Sequence, residues 1–300
     1  MQMQQVKEIV ARHAASTTGQ LAVGFRDFAT GESFVYHETE HMPMASTFKI
    51  FVLAEIFRRV QAGELSLEGR YELGPAIKSP GSGILYFLRD GLMPTLYDYC
   101  YLMMVLSDNT SADFLFQLAG RENIYHNVLE PLGLKDTKCD WPCRTLLCQA
   151  FQLEEPSAQA FAQAKKKNWR NAPHFVCQTQ ENDETTVADM MVMLDALYRG
   201  AWVDRETSSQ MLDIMKLCQT NTRIPKHLTG VPVAHKTGTL DHIINDVGIV
   251  YTPKGDYMLT LFYNGNRAQE EEYLANRGAA RYEAMLAQLS LEIYQAYLQG

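Results

Sequence analysis

The segment MASTFKIFVLAEIF, residues 44–57, opens an apolar run on Ser46 and carries Lys49 three positions later. Its apolar residues recur at helical spacing, which predicts a helix with Ser46 at its mouth and Lys49 on the same face, within reach of the hydroxyl. Two readings stand at this point. Either Ser46 caps the helix and Lys49 is a solvated charge, or the pair is a nucleophile and its base. A serine hydroxyl is a poor nucleophile until a base takes its proton, and N–H groups at a helix start can steady an oxyanion. The rest of the chain decides between them.

Upstream, QLAVGFRDF and ESFVYH flank a Gly-containing turn and alternate apolar with polar residues, so they predict a β-hairpin preceded by a helix. Downstream the period changes. Residues 46–61, 95–106, 110–119 and 186–199 carry apolar residues at helical spacing. Strand character returns in VPVAHKTG, DVGIVYTP and YMLTLFYNG, and a long helix over about 268–297 closes the chain. An early hairpin and three late strands suit one antiparallel sheet covered by the terminal helices, with the helical middle inserted. Residues 135–185 have weak periodicity and read as a long, partly irregular excursion. No repeat or low-complexity tract is visible.

With 300 residues, 46% hydrophobic and 21% charged, the chain can bury a large core in one big domain or two interleaved ones. A formal charge of -8 argues against nucleic acid, because neutralising phosphates needs clustered Lys and Arg, and the one basic cluster, KKKNWR at 165–170, is short. No basic-then-apolar leader and no apolar span of about 18 residues is present, so no membrane and a cytoplasmic location are the expectations. Six cysteines are too sparse for a disulfide framework. Three of them gather in CDWPCRTLLC, but without paired C-x-x-C spacing, so buried thiols are expected, with no metal and no cofactor.

Three short motifs occur in order: STFK at 46–49, SDN at 107–109 and KTG at 236–238. By average residue usage, S-x-x-K arises by chance about once in such a chain, S-D-N in roughly one chain in twenty and K-T-G in about one in ten, so the ordered set carries the information. On these motifs the chain resembles the class A serine β-lactamases among the penicillin-recognising enzymes. The likeness spans most of the chain. It implies an α+β fold: a three-layer α/β/α domain with a five-stranded antiparallel sheet, formed by residues 1–45 and 219–300, plus an all-helical domain over 46–218, with the active site between them. It also implies a small-molecule substrate, a β-lactam or an acyl-peptide, and a monomer.

For Lys49 to act as base at neutral pH its proton affinity must fall about a thousandfold, or about 4 kcal/mol, which burial beside a second cation could supply. Lys236 is that cation; otherwise it is a charge guarding an edge strand. Gly238 leaves room for a ligand along the backbone. Ser107 lies at a turn between helices, where Asp108 or Asn109 could simply be a cap. The resemblance implies that Ser107 shuttles a proton to the leaving nitrogen, Asn109 holds the substrate amide, Lys236 and Thr237 engage a carboxylate, and the N–H groups of Ser46 and Thr239 form an oxyanion hole. Strict alternation puts Lys236 and Thr237 on opposite faces, so both reaching one ligand needs a twisted or edge strand. Arg223 is a surface charge or a second carboxylate ligand. Tyr86 and GSGIL are a cleft wall or core.

The family's E-x-x-L-N motif, whose Glu activates the deacylating water, is absent from this chain. Glu154 and Glu155 are the nearest carboxylates, either solvated acids or a replacement base. A serine ester lasts until a base directs water onto it. The expectations are therefore a serine hydrolase cleaving an amide, lactam or ester through a Ser46 acyl-enzyme; a non-hydrolytic penicillin-binding or acyl-trapping protein; or a serine-dependent glutaminase.

Overall fold

In a computed structural model describing residues 2–151, 153, 157, 159–161, 163, 182–240, 243–265 and 278–299, the hairpin forms from β1 (Gln20–Asp27) and β2 (Ser33–Tyr36). Its turn is tied by Asp27, whose backbone N–H donates to Glu32 O and whose carboxylate accepts from Ala29 N. After the two-residue β3 (Met42–Pro43), which pairs with β4 (Glu184–Thr185), the late strands are β5 (Val233–Thr239), β6 (Ile243–Thr252) and β7 (Gly255–Asn264). They join the hairpin in one antiparallel sheet of order β2-β1-β7-β6-β5. The KTG motif thus lies on an edge strand.

Alternation along these strands sends side chains to two apolar bodies. On one face Leu21, Val23, Phe25, Leu259 and Leu261 pack with α1 (Gln2–Ala15) and α8 (Gly278–Gln299). On the other, Ala22, Val247, Ile249, Met258 and Phe262 join the helical middle: α2 (Lys49–Gln61), α3 (Leu96–Val105), α4 (Asn109–Ala119), α5 (Cys143–Phe151), α6 (Val187–Arg199) and α7 (Arg205–Met215). Every residue of α2 from Lys49 to Phe57 is buried. That follows from IFVLAEIF being apolar nearly all round, the mark of a helix surrounded by protein. Its one acid, Glu55, is satisfied by Arg58 Nε at 2.8 Å and Asn127 Nδ2 at 3.3 Å.

Helix starts obey local chemistry where a cap is present. Thr95 and Asp98 form a capping box for α3, and Asp108, Thr186 and Asp204 cap α4, α6 and α7. Three departures from the sequence pattern stand out. The helix expected from residue 46 begins as a 3-10 turn, Ala45–Phe48, and becomes α-helical only at Lys49. Within the stretch read as irregular, α5 is helical. Its cap comes from another helix, because Asp113 of α4 accepts from Cys143 N at 2.6 Å and Arg144 N at 2.9 Å. Finally, α7 was not expected at all.

Gly24 is where the sheet meets α6: a methyl group there would lie 2.4 Å from Met191 Sδ and 2.6 Å from Val187 Cγ1. Gly24→Ala overpacks this contact and should lower stability by about 1–3 kcal/mol. Equilibrium urea unfolding measures it.

Candidate active site

Met44 O is the hub of the turn that presents Ser46. It accepts from Thr47 N at 3.2 Å, Thr47 Oγ1 at 2.9 Å and the Asn245 amide of β6 at 3.1 Å, and that amide also donates to Pro43 O at 2.8 Å. Asn245 is fully buried, so the sheet holds the turn through hydrogen bonds that water does not contest. Ala45 has φ +46°, a strained value for a residue with a Cβ. Ser46 lies within the 3-10 turn and Lys49 opens the α-helix directly after it.

Lys49 Nζ reaches Ser107 O at 2.8 Å, Ser107 Oγ at 3.1 Å and Asn109 Oδ1 at 2.9 Å. Lys236 Nζ reaches the same Ser107 Oγ at 3.0 Å and Thr237 O at 2.8 Å. Both lysines are fully buried. Burial, and then the charge of Lys49, pull the Lys236 amine down to about 7. With its oxygen accepting from two amines, the Ser107 hydroxyl has its proton free for a third partner. Ser107 is held at φ +55°, a second strained non-glycine position at this site.

Ser46 and Thr239 both line a cleft of about 110 Å³ with Ala45, Phe48, Asn109 and Cys143. Among the described residues the Ser46 hydroxyl has no hydrogen-bond partner. Residues 46, 49, 107, 109, 236 and 239 are therefore brought together. Gly238 packs on the Ser46 turn, since a Cβ there would lie 2.4 Å from Met44 O. Thr237 is buried, with Lys236 turned toward the helical body and Val233 and His235 toward the opposite face.

Other singled-out residues lie differently. Asn109 spends both ends of its amide internally, on Lys49 and on Pro80 O at 2.9 Å. The buried Arg223 donates to Gly238 O at 3.0 Å, Asn245 O at 2.6 Å and Thr239 Oγ1 at 2.6 Å, and pairs with Glu283 of α8 at 2.9 Å. Tyr86 lines a separate hollow with Pro75, Lys78, Pro80 and Asp90. Glu154 and Glu155 lie outside the described residues, as do Cys177 and the 165–170 cluster. Cys139 and Cys143 are buried thiols, and no three-membered group of His, Cys, Asp or Glu is placed to hold a metal ion among the described residues.

Sequence reasoning missed Asn245, Asp113 and the α5 wall of Cys143, Leu146 and Leu147. Only the acid at 113, four residues after the SDN motif on the same helix face, gave a signal. Asp113 ties α4 both to α5 and to the Ser79 hydroxyl, and its burial raises its carboxyl above the usual range despite these hydrogen bonds.

A serine turn at the mouth of a buried helix, two amines converging on one hydroxyl and an edge strand beside the cleft are what this α+β fold brings together. The chain belongs to the beta-lactamase enzyme family, whose model matches residues 3–297. It is 27% identical to beta-lactamase CARB-4 of Pseudomonas aeruginosa over 137 residues, 46% of this chain and 47% of that protein, so the chain spans about half the length of such curated relatives. It is 23% identical to the extended-spectrum beta-lactamase PER-1 of the same organism over 99% of this chain and 87% of that one. The solved beta-lactamase from Sphaerobacter thermophilus superposes with a TM-score of 0.76 at 27% identity, covering 99% and 96% of the two chains. The structure of PBP-A gives 0.76 at 21% identity over 99% and 97%. No described helix is long and apolar enough to cross a membrane.

Two outcomes follow from this geometry. Gly238→Ala must push β5 away from Met44 O and should widen the cleft, lowering acylation at least about tenfold with a stability loss of about 1–3 kcal/mol; stopped-flow acylation and urea unfolding measure the two. Lys236 binds its proton less tightly folded than unfolded, so its stability penalty is full below about pH 7 and fades as pH rises toward the ordinary lysine value. Lys236→Met should therefore raise stability, on the order of 2–4 kcal/mol at pH 6 and much less at pH 10, while abolishing acylation. Thermal melts at both pH values check this.

Proposed function

We propose that the protein is a serine hydrolase acting on β-lactams or related amides and esters through an acyl-enzyme at Ser46. The observation that carries this reading is the convergence of the Lys49 and Lys236 amines on Ser107 Oγ beside the cleft that holds Ser46. Lys49, which donates to three oxygens, first passes a proton through Ser107 Oγ to the Lys236 amine, whose proton affinity is lowered to about 7. The neutral Lys49 then takes the Ser46 proton as Oγ attacks the acyl carbon, and the N–H groups of Ser46 and Thr239 receive the oxyanion. The C–N bond then breaks, Ser107 gives its proton to the leaving nitrogen, and a lysine N–H replenishes it. Lys236, Thr237 and the Arg223 edge beneath Thr239 would receive a substrate carboxylate, and the wall at Asn109 would face the substrate amide. The cleft then lies between an α/β domain of residues 1–45 and 219–300 and a helical domain of 46–218.

A second reading, a long-lived acyl trap, is favoured by one observation. Among the described residues, none that lines the cleft is a carboxylate: the α5 wall presents Cys143, Leu146 and Leu147. Hydrolysis needs a base to direct water at the ester, which on this reading only a side chain such as Glu154 or Glu155 could supply.

A fluorescent penicillin should label the wild type and leave Ser46→Ala unlabelled; equal labelling of both removes Ser46 from the chemistry. Intact-mass spectrometry after a penicillin pulse separates the two readings. Return to the apo mass within seconds to minutes means turnover, and an adduct lasting hours means a trap. If an adduct persists, Glu154→Gln and Glu155→Gln should leave its lifetime unchanged.

A further inference from the structure

The face of β5 opposite Lys236 carries a buried polar cluster that the acyl-transfer steps do not use. His235 is 1% exposed, and both of its ring nitrogens meet oxygen acceptors: Nδ1 lies 2.8 Å from Asp246 Oδ1 on β6, and Nε2 lies 3.3 Å from Asn221 Oδ1. With the Asn221 amide oxygen turned toward it as here, the ring donates from both nitrogens, as a doubly protonated imidazolium does. The other oxygen of Asp246 accepts from Ile224 N at 3.0 Å. The carboxylate and imidazole together thus grip the 221–224 segment at both ends, through Asn221 and Ile224. Arg223 lies between those two points.

This grip matters because of what Arg223 does with its guanidinium. It crosses under the end of β5 to Gly238 O and Thr239 Oγ1, with Asn245 O and Glu283 completing its contacts. A long cationic side chain keeps such a reach only if its own backbone is fixed. We propose that His235 is a positioning residue for Arg223: held as an imidazolium between Asp246 and Asn221, it pins the 221–224 segment to the sheet so that the guanidinium stays where a substrate carboxylate would dock. The inference rests on the Ser46 acyl-transfer reading and names a part of its specificity.

The charged and titratable groups facing His235 agree with this state. Burial acts to lower its proton affinity, but the charge of Asp246 and its hydrogen bond, together with Cys218, outweigh burial and raise the imidazole to about 10. Cys218, three residues before the 221–224 segment, feels the converse. Burial pushes its thiol up, and His235 and then Lys236 more than offset that, leaving it below the ordinary value. Lys236 and Arg223 are the neighbouring cations, and Asp246, Cys218 and Glu283 balance them. The pin therefore stays charged through neutral pH.

The test is a double-mutant cycle of His235→Asn and Arg223→Gln in the full-length chain, read as the second-order rate of Ser46 acylation by a penicillin and by its methyl ester. His235→Asn should slow the carboxylate donor about tenfold or more and the ester less than about threefold, and should cost little further in the Arg223→Gln background. Equal losses on both donors, or additive losses, overturn the proposal. Should His235→Asn fail to fold, ring-nitrogen NMR of the wild type decides instead: both His235 nitrogens protonated at pH 7.5 supports the pin, and a neutral tautomer overturns it. Absence of acylation by either donor in the wild type removes the Ser46 reading, while the NMR result still judges the state of His235.

Discussion

Two amines share one hydroxyl in a dry site, and the surrounding architecture answers to that constraint. Lys49 and Lys236 both reach Ser107 Oγ while fully buried, an arrangement that like charges in low dielectric resist. The protein relieves the conflict by surrounding Lys49 with three oxygen acceptors and by lowering the proton affinity of Lys236 to about 7. A lysine near neutrality can both give and take protons at working pH, which is what a relay through Ser107 requires. The site is therefore costly to fold and useful for the same physical reason.

The sheet serves as a frame that holds three separate walls at hydrogen-bond distance. Asn245 reaches from β6 to Pro43 O and Met44 O and fixes the Ser46 turn, and Gly238 lets β5 lie against that turn. Asp108 caps α4 and accepts from Ile84 N and Leu85 N, drawing the 79–88 segment over the Ser107 turn. Asp113 then ties α4 to α5. Each tie is a buried charge or amide whose alternative, with water excluded, is an unpaired polar group. Strained φ values at Ala45 and Ser107 persist because these ties over-determine the turns.

The fold was legible where periodicity or turn chemistry was strong. The hairpin, the three late strands and helices α2, α3, α4 and α6 follow from alternation, helical recurrence and local caps. It was illegible where the partner lies elsewhere in the chain. Helix α5 has no cap of its own, because Asp113 caps it from thirty residues away, and α2 hides its 3-10 entrance because that turn is held by Asn245, about 200 residues distant. In the site, the three motifs named Ser46, Lys49, Ser107 and Lys236 as members of one chemistry. They could not show that Arg223 would be buried and multiply bonded, that Asn109 would use both ends of its amide internally, or that Tyr86 would line a different hollow.

By itself the sequence determined the chemical inventory: a hydroxyl three positions before an amine at the start of an apolar helix, a second hydroxyl at a helix junction, a second amine on a strand, and no E-x-x-L-N acid. Those features are local, set by spacing along a helix or strand, and local spacing is all a linear pattern can encode. Tertiary structure alone decided that two lysines 187 positions apart in number meet at one oxygen, that β5 is the edge strand, and that His235 and Asp246 grip the segment bearing Arg223. Such meetings depend on which buried polar groups find partners once the apolar faces have closed, and that pairing is a property of the packed chain rather than of any stretch within it.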